Sequence, residues 1–122
     1  MIRIVGIERC EDPGREFVLL QNQGSMRVQL RGHVLLADAF IDGQDACPAP
    51  FIFNEEVHIY PGAYVLLRTG AGESKWTVTR DGGRIFNCYM GKTGSHWIKL
   101  GQTLHLLSAH HSYTERPVVP CG

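Results

Sequence analysis

Gly14-Arg15-Glu16-Phe17-Val18-Leu19-Leu20-Gln21-Asn22-Gln23-Gly24 decides how this chain folds. The apolar run is four residues long, holds an aromatic and a β-branched residue, and ends in Asn and Gly, which is how a strand closed by a tight turn is written. Val28-Gln29-Leu30-Arg31-Gly32 follows in the same style, and Ile59-Tyr60-Pro61-Gly62-Ala63-Tyr64-Val65-Leu66-Leu67 repeats it with a Pro-Gly turn inside. No run has the length of a safe helix, so the expectation is an all-β sandwich.

The same reading predicts strands at 2–7, 16–22, 27–30, 33–37, 51–53, 57–59, 64–68, 76–79, 84–90, 96–99, 103–107 and 113–119. Short strands at such regular spacing belong to a sandwich or barrel. A length of 122 residues without a break in composition fits one domain, 1–122, large enough to bury a core without cross-links. Fourteen glycines and six prolines serve many turns. The runs 17–20 and 64–67 are apolar at every position, which predicts central strands whose outer face is covered by the long loop 38–50 or by another molecule.

Twelve basic and twelve acidic residues cancel, so no global field draws the chain to nucleic acid or to an anionic membrane. The charges are nevertheless segregated. Between Arg31 and Arg68 there is no Lys or Arg, but there are Asp38, Asp42, Asp45, Glu55 and Glu56. From Arg68 to Lys99 the sign reverses, with Arg68, Lys75, Arg80, Arg84, Lys92 and Lys99 against Glu73 and Asp81. These are either solvated loops of opposite sign or faces that meet a charged partner. No stretch reaches the ~20 apolar residues of a membrane span, and the opening run, broken by Arg3, is no signal-peptide core. A cytoplasmic location is the default expectation, and with it reduced thiols for Cys10, Cys47, Cys88 and Cys121. Should they oxidise, three pairings are open, and Cys10 and Cys121 are candidates if the terminal strands are neighbours.

Motifs for chemistry are incomplete. Gly91-Lys92-Thr93 ends like a phosphate-binding loop, but Phe86 stands where the loop's first glycine belongs and no helix follows. Gly70-Ala71-Gly72 lacks the rest of a dinucleotide fingerprint and is expected to be a hairpin turn. Six histidines show no HxH or HxxxH pair, and no metal or cofactor is expected; a small metal protein or hydrolase built on His33, His105, Cys10 and Cys88 is the weakest alternative. Ser95 beside His96 is no catalytic pair if both lie on a strand, since adjacent side chains diverge. Cys88, within an apolar run, is expected in the core.

Five blocks in order carry a resemblance: Phe17-Val18-x-Leu20-x-Asn22; Val28-x-Leu30-x-Gly32; Phe51-x-Phe53; Tyr60-Pro61-Gly62-x-Tyr64-Val65; and Trp97 with Gly101-Gln102-Thr103-Leu104-x-Leu106. Together they resemble the lamin tail domain, from about residue 2 to residue 116, in the form of a prokaryotic-type stand-alone member. The resemblance implies an immunoglobulin-like β-sandwich that makes contacts with proteins and with DNA. Heptads, a basic tail and a CaaX ending are missing, so filament assembly and a prenyl anchor are not implied.

The functional expectation is a non-catalytic, structural or binding module that acts by protein contact or self-association, including a homodimer, through a sheet edge or through the basic region of Lys75, Trp76, Arg80, Arg84, Trp97 and Lys99. The alternative is nucleic-acid binding through that region, with Trp76 or Trp97 stacking on bases.

Overall fold

The computed structural model describes residues 1–38, 49–98 and 103–108. They form an all-β, sandwich-like architecture of ten strands: β1 (Ile2–Glu8), β2 (Phe17–Asn22), β3 (Val28–Gln29), β4 (His33–Ala37), β5 (Phe51–Ile52), β6 (His58–Ile59), β7 (Tyr64–Arg68), β8 (Lys75–Val78), β9 (Arg84–Tyr89) and β10 (Leu104–Ser108). A five-stranded sheet runs in the order β1-β2-β7-β9-β8, a three-stranded sheet in the order β10-β4-β5, and β3 pairs with β6. All pairings are antiparallel except β7 with β9. The expected strand 113–119 and loop segment 39–48 lie outside the described residues, as do Cys47, Lys99 and Cys121. No helix among the described residues is long and apolar enough to cross a membrane.

Alternation explains the core. On β2 and just before it, Glu16, Val18, Leu20 and Asn22 all point inward and are buried, while Phe17, Leu19 and Gln21 between them are half-buried. Val65 and Leu67 on β7 and Phe86 and Cys88 on β9 continue this inner row, and Leu35, Ala37 and Leu104 meet it from the three-stranded sheet in one continuous cluster. The outer face is only partly covered: Leu19, Tyr64, Leu66, Ile85 and Tyr89 are all half-buried there.

Two turns follow from their glycines. At Tyr60-Pro61-Gly62-Ala63 the Ala63 N–H donates to the Tyr60 carbonyl at 3.0 Å and Gly62 has φ +85°, the arrangement of a type II turn with Pro and Gly in their preferred places. In the β8–β9 hairpin, Gly82 has φ +87°, its N–H donates to the Thr79 carbonyl at 3.1 Å, and the Thr79 N–H donates to the Gly83 carbonyl at 2.7 Å. This is a three-residue loop with glycine in the left-handed position.

Two expectations are corrected. Gly70-Ala71-Gly72 is no hairpin turn, because β9 lies between β7 and β8 and the connection must cross over it. A Cβ on Gly72 would stand 2.5 Å from the Tyr89 ring, so the crossing is tight. Residues 96–98 form no strand. The N–H groups of His96 and Trp97 go to a carboxylate, at 2.7 and 3.1 Å, instead of to a neighbouring strand.

Candidate functional site

Of the basic and aromatic side chains singled out by sequence, the fold gathers four on or beside one hairpin. Lys75 and Trp76 lie on β8, Arg80 in the following turn and Arg84 at the start of β9, all of them exposed. β8 is the edge of the five-stranded sheet, and among the described residues no strand lies on its other side.

The hydrogen-bond phase of the hairpin fixes what that edge offers. Thr79 bonds to Gly83, and antiparallel pairs alternate between bonded and non-bonded. The register Val78↔Arg84, Thr77↔Ile85, Trp76↔Phe86 and Lys75↔Asn87 therefore turns the backbone groups of Thr77 and Lys75 toward β9 and those of Trp76 and Val78 away from it. The side chains there are exposed as well: Trp76 is 37% and Val78 69% accessible. The Trp76 ring leans on Phe86 with centroids 5.2 Å apart, which holds it in place.

Local bonds position the strand. The Ser74 hydroxyl donates to Glu55 at 2.7 Å, anchoring the crossover just before β8. The Asn87 amide donates to the Lys75 carbonyl at 3.1 Å and to the Thr77 hydroxyl at 2.9 Å, tying β8 to β9 through side chains. At the tip, the Thr79 hydroxyl donates to Asp81 and accepts the Gly83 N–H at 2.8 Å. The bond from Thr79 holds the Asp81 carboxyl below the usual carboxylate range, with backbone bonds from Asp81 and Gly83 adding to it.

Trp97 belongs to the core. It is 1% exposed and takes its place in the hydrophobic cluster, so it presents no face for stacking. Its indole Nε1 is buried without a hydrogen-bond partner among the described residues.

What sequence reasoning missed is Glu16. This carboxylate is fully buried and gathers five donors: at Oε1 the Thr69 hydroxyl (2.7 Å), the His96 N–H (2.7 Å) and the Trp97 N–H (3.1 Å), and at Oε2 the Ser95 hydroxyl (2.6 Å) and the Cys10 N–H (3.3 Å). Burial alone would raise its pKa, but the bonds from Ser95, His96, Thr69 and Trp97 outweigh it and leave the pKa lowered. About four lone-pair sites are available on a carboxylate, and five donors use them up. Glu16 is thus a clamp that seats residues 95–97 and Trp97 in the core, not a base with room for a substrate proton. The Arg9 guanidinium completes the seat, its Nε donating to the Trp97 carbonyl at 2.8 Å. The signal in the sequence was parity: Glu16 stands two residues before Val18 and four before Leu20, on the inward side of the strand.

The other candidate chemistry has local partners. Ser95 is bonded to Glu16, while the His96 ring packs edge-on against Trp97, and its Nε2 lies 2.7 Å from the Ala49 carbonyl. His33 is buried with Nδ1 3.0 Å from the Leu30 carbonyl, and His105 pairs with Asp38. Arg31 pairs with Glu56. Cys10 and Cys88 are free thiols; burial, aided by the charge of Glu55, pushes Cys88 up to about 12. Among the described residues no three His, Cys, Asp or Glu side chains cluster as metal ligands. The two glycine-rich motifs bond to each other, the Gly91 N–H donating to the Gly70 carbonyl at 3.0 Å and the Lys92 N–H to the Thr69 carbonyl at 2.9 Å. Comparison of the chain with protein-family models, with curated proteins and with solved structures finds no match.

Proposed function

We propose that this chain is an immunoglobulin-like binding module without catalytic activity, related to the lamin tail domain, that acts by protein contact through the β8 edge. The observation that supports this most is the phase of the hairpin: Trp76 and Val78 direct backbone groups outward and expose apolar side chains at the same place. An edge of that kind accepts an added strand, whose backbone supplies the bonds while pockets between side chains supply selectivity. Lys75, Arg80 and Arg84 around it favour a partner strand that carries acidic residues.

A second copy matches this edge through its apolar side chains, with the like charges of the two copies screened by salt. Two β8 strands running antiparallel about a two-fold axis would set Trp76 of one copy opposite Val78 of the other, a self-complementary contact. Sedimentation at high protein concentration and physiological salt, which screens the like charges of the two β8 edges, tests this. A reversible dimer is expected for the wild type and a monomer for Val78→Pro; a wild type that stays monomeric throughout contradicts it. Nucleic-acid binding has lost one of its two stacking residues with the burial of Trp97. Fluorescence anisotropy with a labelled single strand at low salt is expected to show no binding, and a steep salt-dependent affinity would favour that reading instead.

A further inference from the structure

A second surface lies on the outer face of the five-stranded sheet and reaches the tip of the β8–β9 hairpin. A groove of about 740 Å³ runs between the turn at 60–63 and the hairpin tip at 79–83. Leu19, Tyr64 and Ile85 are among the side chains on its apolar floor, and Tyr60, Asp81 and Arg84 stand on its rims. Tyr60 is 48% exposed. The Gly62, Gly82 and Gly83 N–H groups are already bonded to Asn22, Thr79 and the Thr79 hydroxyl. The donors left to a ligand are therefore the two tyrosine hydroxyls and the Arg84 guanidinium.

Apolar, aromatic walls with a few side-chain donors suit a ligand that needs no ladder of backbone bonds. A polyproline-type segment is such a ligand: its rings pack on aromatic faces, its carbonyls project outward, and its backbone is ordered in advance. The chain's own sequence offers two prolines at the matching spacing. Beyond Ser108 the sequence reads Glu115-Arg116-Pro117-Val118-Val119-Pro120. Each proline fixes its own φ and turns the preceding residue away from the helical region. In a polyproline conformation, with three residues per turn, Pro117 and Pro120 would fall on one side, about 9 Å apart.

We propose that the groove is a docking site for a proline-containing extended peptide, and that its occupant is the chain's own segment 115–120. Reach and charge both support this. Ser108 lines the same pocket as Ile2 and Arg3, at one end of β1. Arg3, Gln21, Tyr64 and Ile85 are successive register partners across β1, β2, β7 and β9, so a path from that end crosses three strand spacings to the groove. The crossing is about 15 Å, and rounding the sheet edge adds roughly 10 Å. Residues 109–116 span about 26 Å when extended. Glu115 and Arg116 bring opposite charges to Arg84 and Asp81, which stand at the groove.

Nuclear magnetic resonance of the full chain tests the proposal, comparing the wild type with Pro117→Ala/Pro120→Ala and, from the groove side, with Tyr60→Ala. Both variants change exposed or terminal positions and keep the core intact. The expected result is a shift of the Gly62, Gly82 and Ile85 amide signals in the tail variant, independent of protein concentration. A synthetic peptide of residues 112–122 should restore those signals in the tail variant and bind it about ten-fold more tightly than it binds the wild type, whose tethered tail competes at a high effective concentration. Tyr60→Ala should weaken that peptide in the tail-variant background. Unchanged groove signals, or equal peptide affinity for wild type and tail variant, would overturn the proposal. Shifts that grow with protein concentration would place the tail of a second copy in the groove and overturn the intramolecular docking. The peptide competition does not involve pairing at β8, which keeps the result separate from that of the β8 edge.

Discussion

Glu16 carries more of this fold than any neighbour of its size. Its five bonds hold Cys10, Thr69 and residues 95–97 to one point, and they require an ionised carboxylate. Because its folded pKa is lowered, the stabilisation is complete above the unfolded value and is lost as pH falls through the folded one, so acid unfolding should steepen below about pH 4.5. Glu16→Gln sets an amide donor against N–H and hydroxyl donors and should cost about 3 kcal/mol in denaturant titrations at neutral pH, while flattening the pH dependence. A variant with wild-type stability and wild-type acid sensitivity would show that the clamp is dispensable. The two tryptophans separate in the same way. Trp97→Ala should cost about 3–5 kcal/mol through the cavity it leaves, and Trp76→Ala less than about 1 kcal/mol, as measured by the same titrations. In sequence the two look alike; what distinguishes them is a contact with Glu16, 81 positions earlier, which no local pattern around Trp97 records.

The strands were legible where their turns were. Pro61-Gly62 and Gly82-Gly83 mark β7 and β9 to within a residue, because the positive φ at Gly62 and Gly82 leaves little choice of residue. Pairing order was not legible. Gly70-Ala71-Gly72 has the composition of a hairpin loop, yet the parallel β7–β9 pair makes it a crossover, and composition does not tell where the next strand docks. β8 gains its meaning only from that order, which leaves it at the sheet edge. Two proline substitutions one residue apart test the phase of its bonds. Thr77→Pro removes a ladder donor and should cost more than about 2 kcal/mol, whereas Val78→Pro removes a donor that faces outward and should stay within about 1 kcal/mol of the wild type. Equal losses in thermal or denaturant unfolding would mean that the phase is assigned wrongly.

At the scale of the whole molecule, a sandwich of short strands closes its core but not its edges. The inner rows of the two larger sheets form a single apolar cluster, which the runs 17–20 and 64–67 already implied, and the half-buried outer row of Leu19, Tyr64, Leu66 and Ile85 answers their lack of alternation. The segregated charges resolve into local pairs such as Arg31 with Glu56 on one side and exposed cations around the β8–β9 hairpin on the other. The β8 edge thus carries exposed cations at Lys75, Arg80 and Arg84 among the described residues. Amide hydrogen exchange of Trp76 and Val78, followed as protein concentration rises at physiological salt, tests directly whether that edge is where contact is made. Rapid exchange in dilute solution, giving way to protection of these two amides as the dimer forms, is the predicted result; association that leaves both amides unprotected, or no association at all, would contradict it.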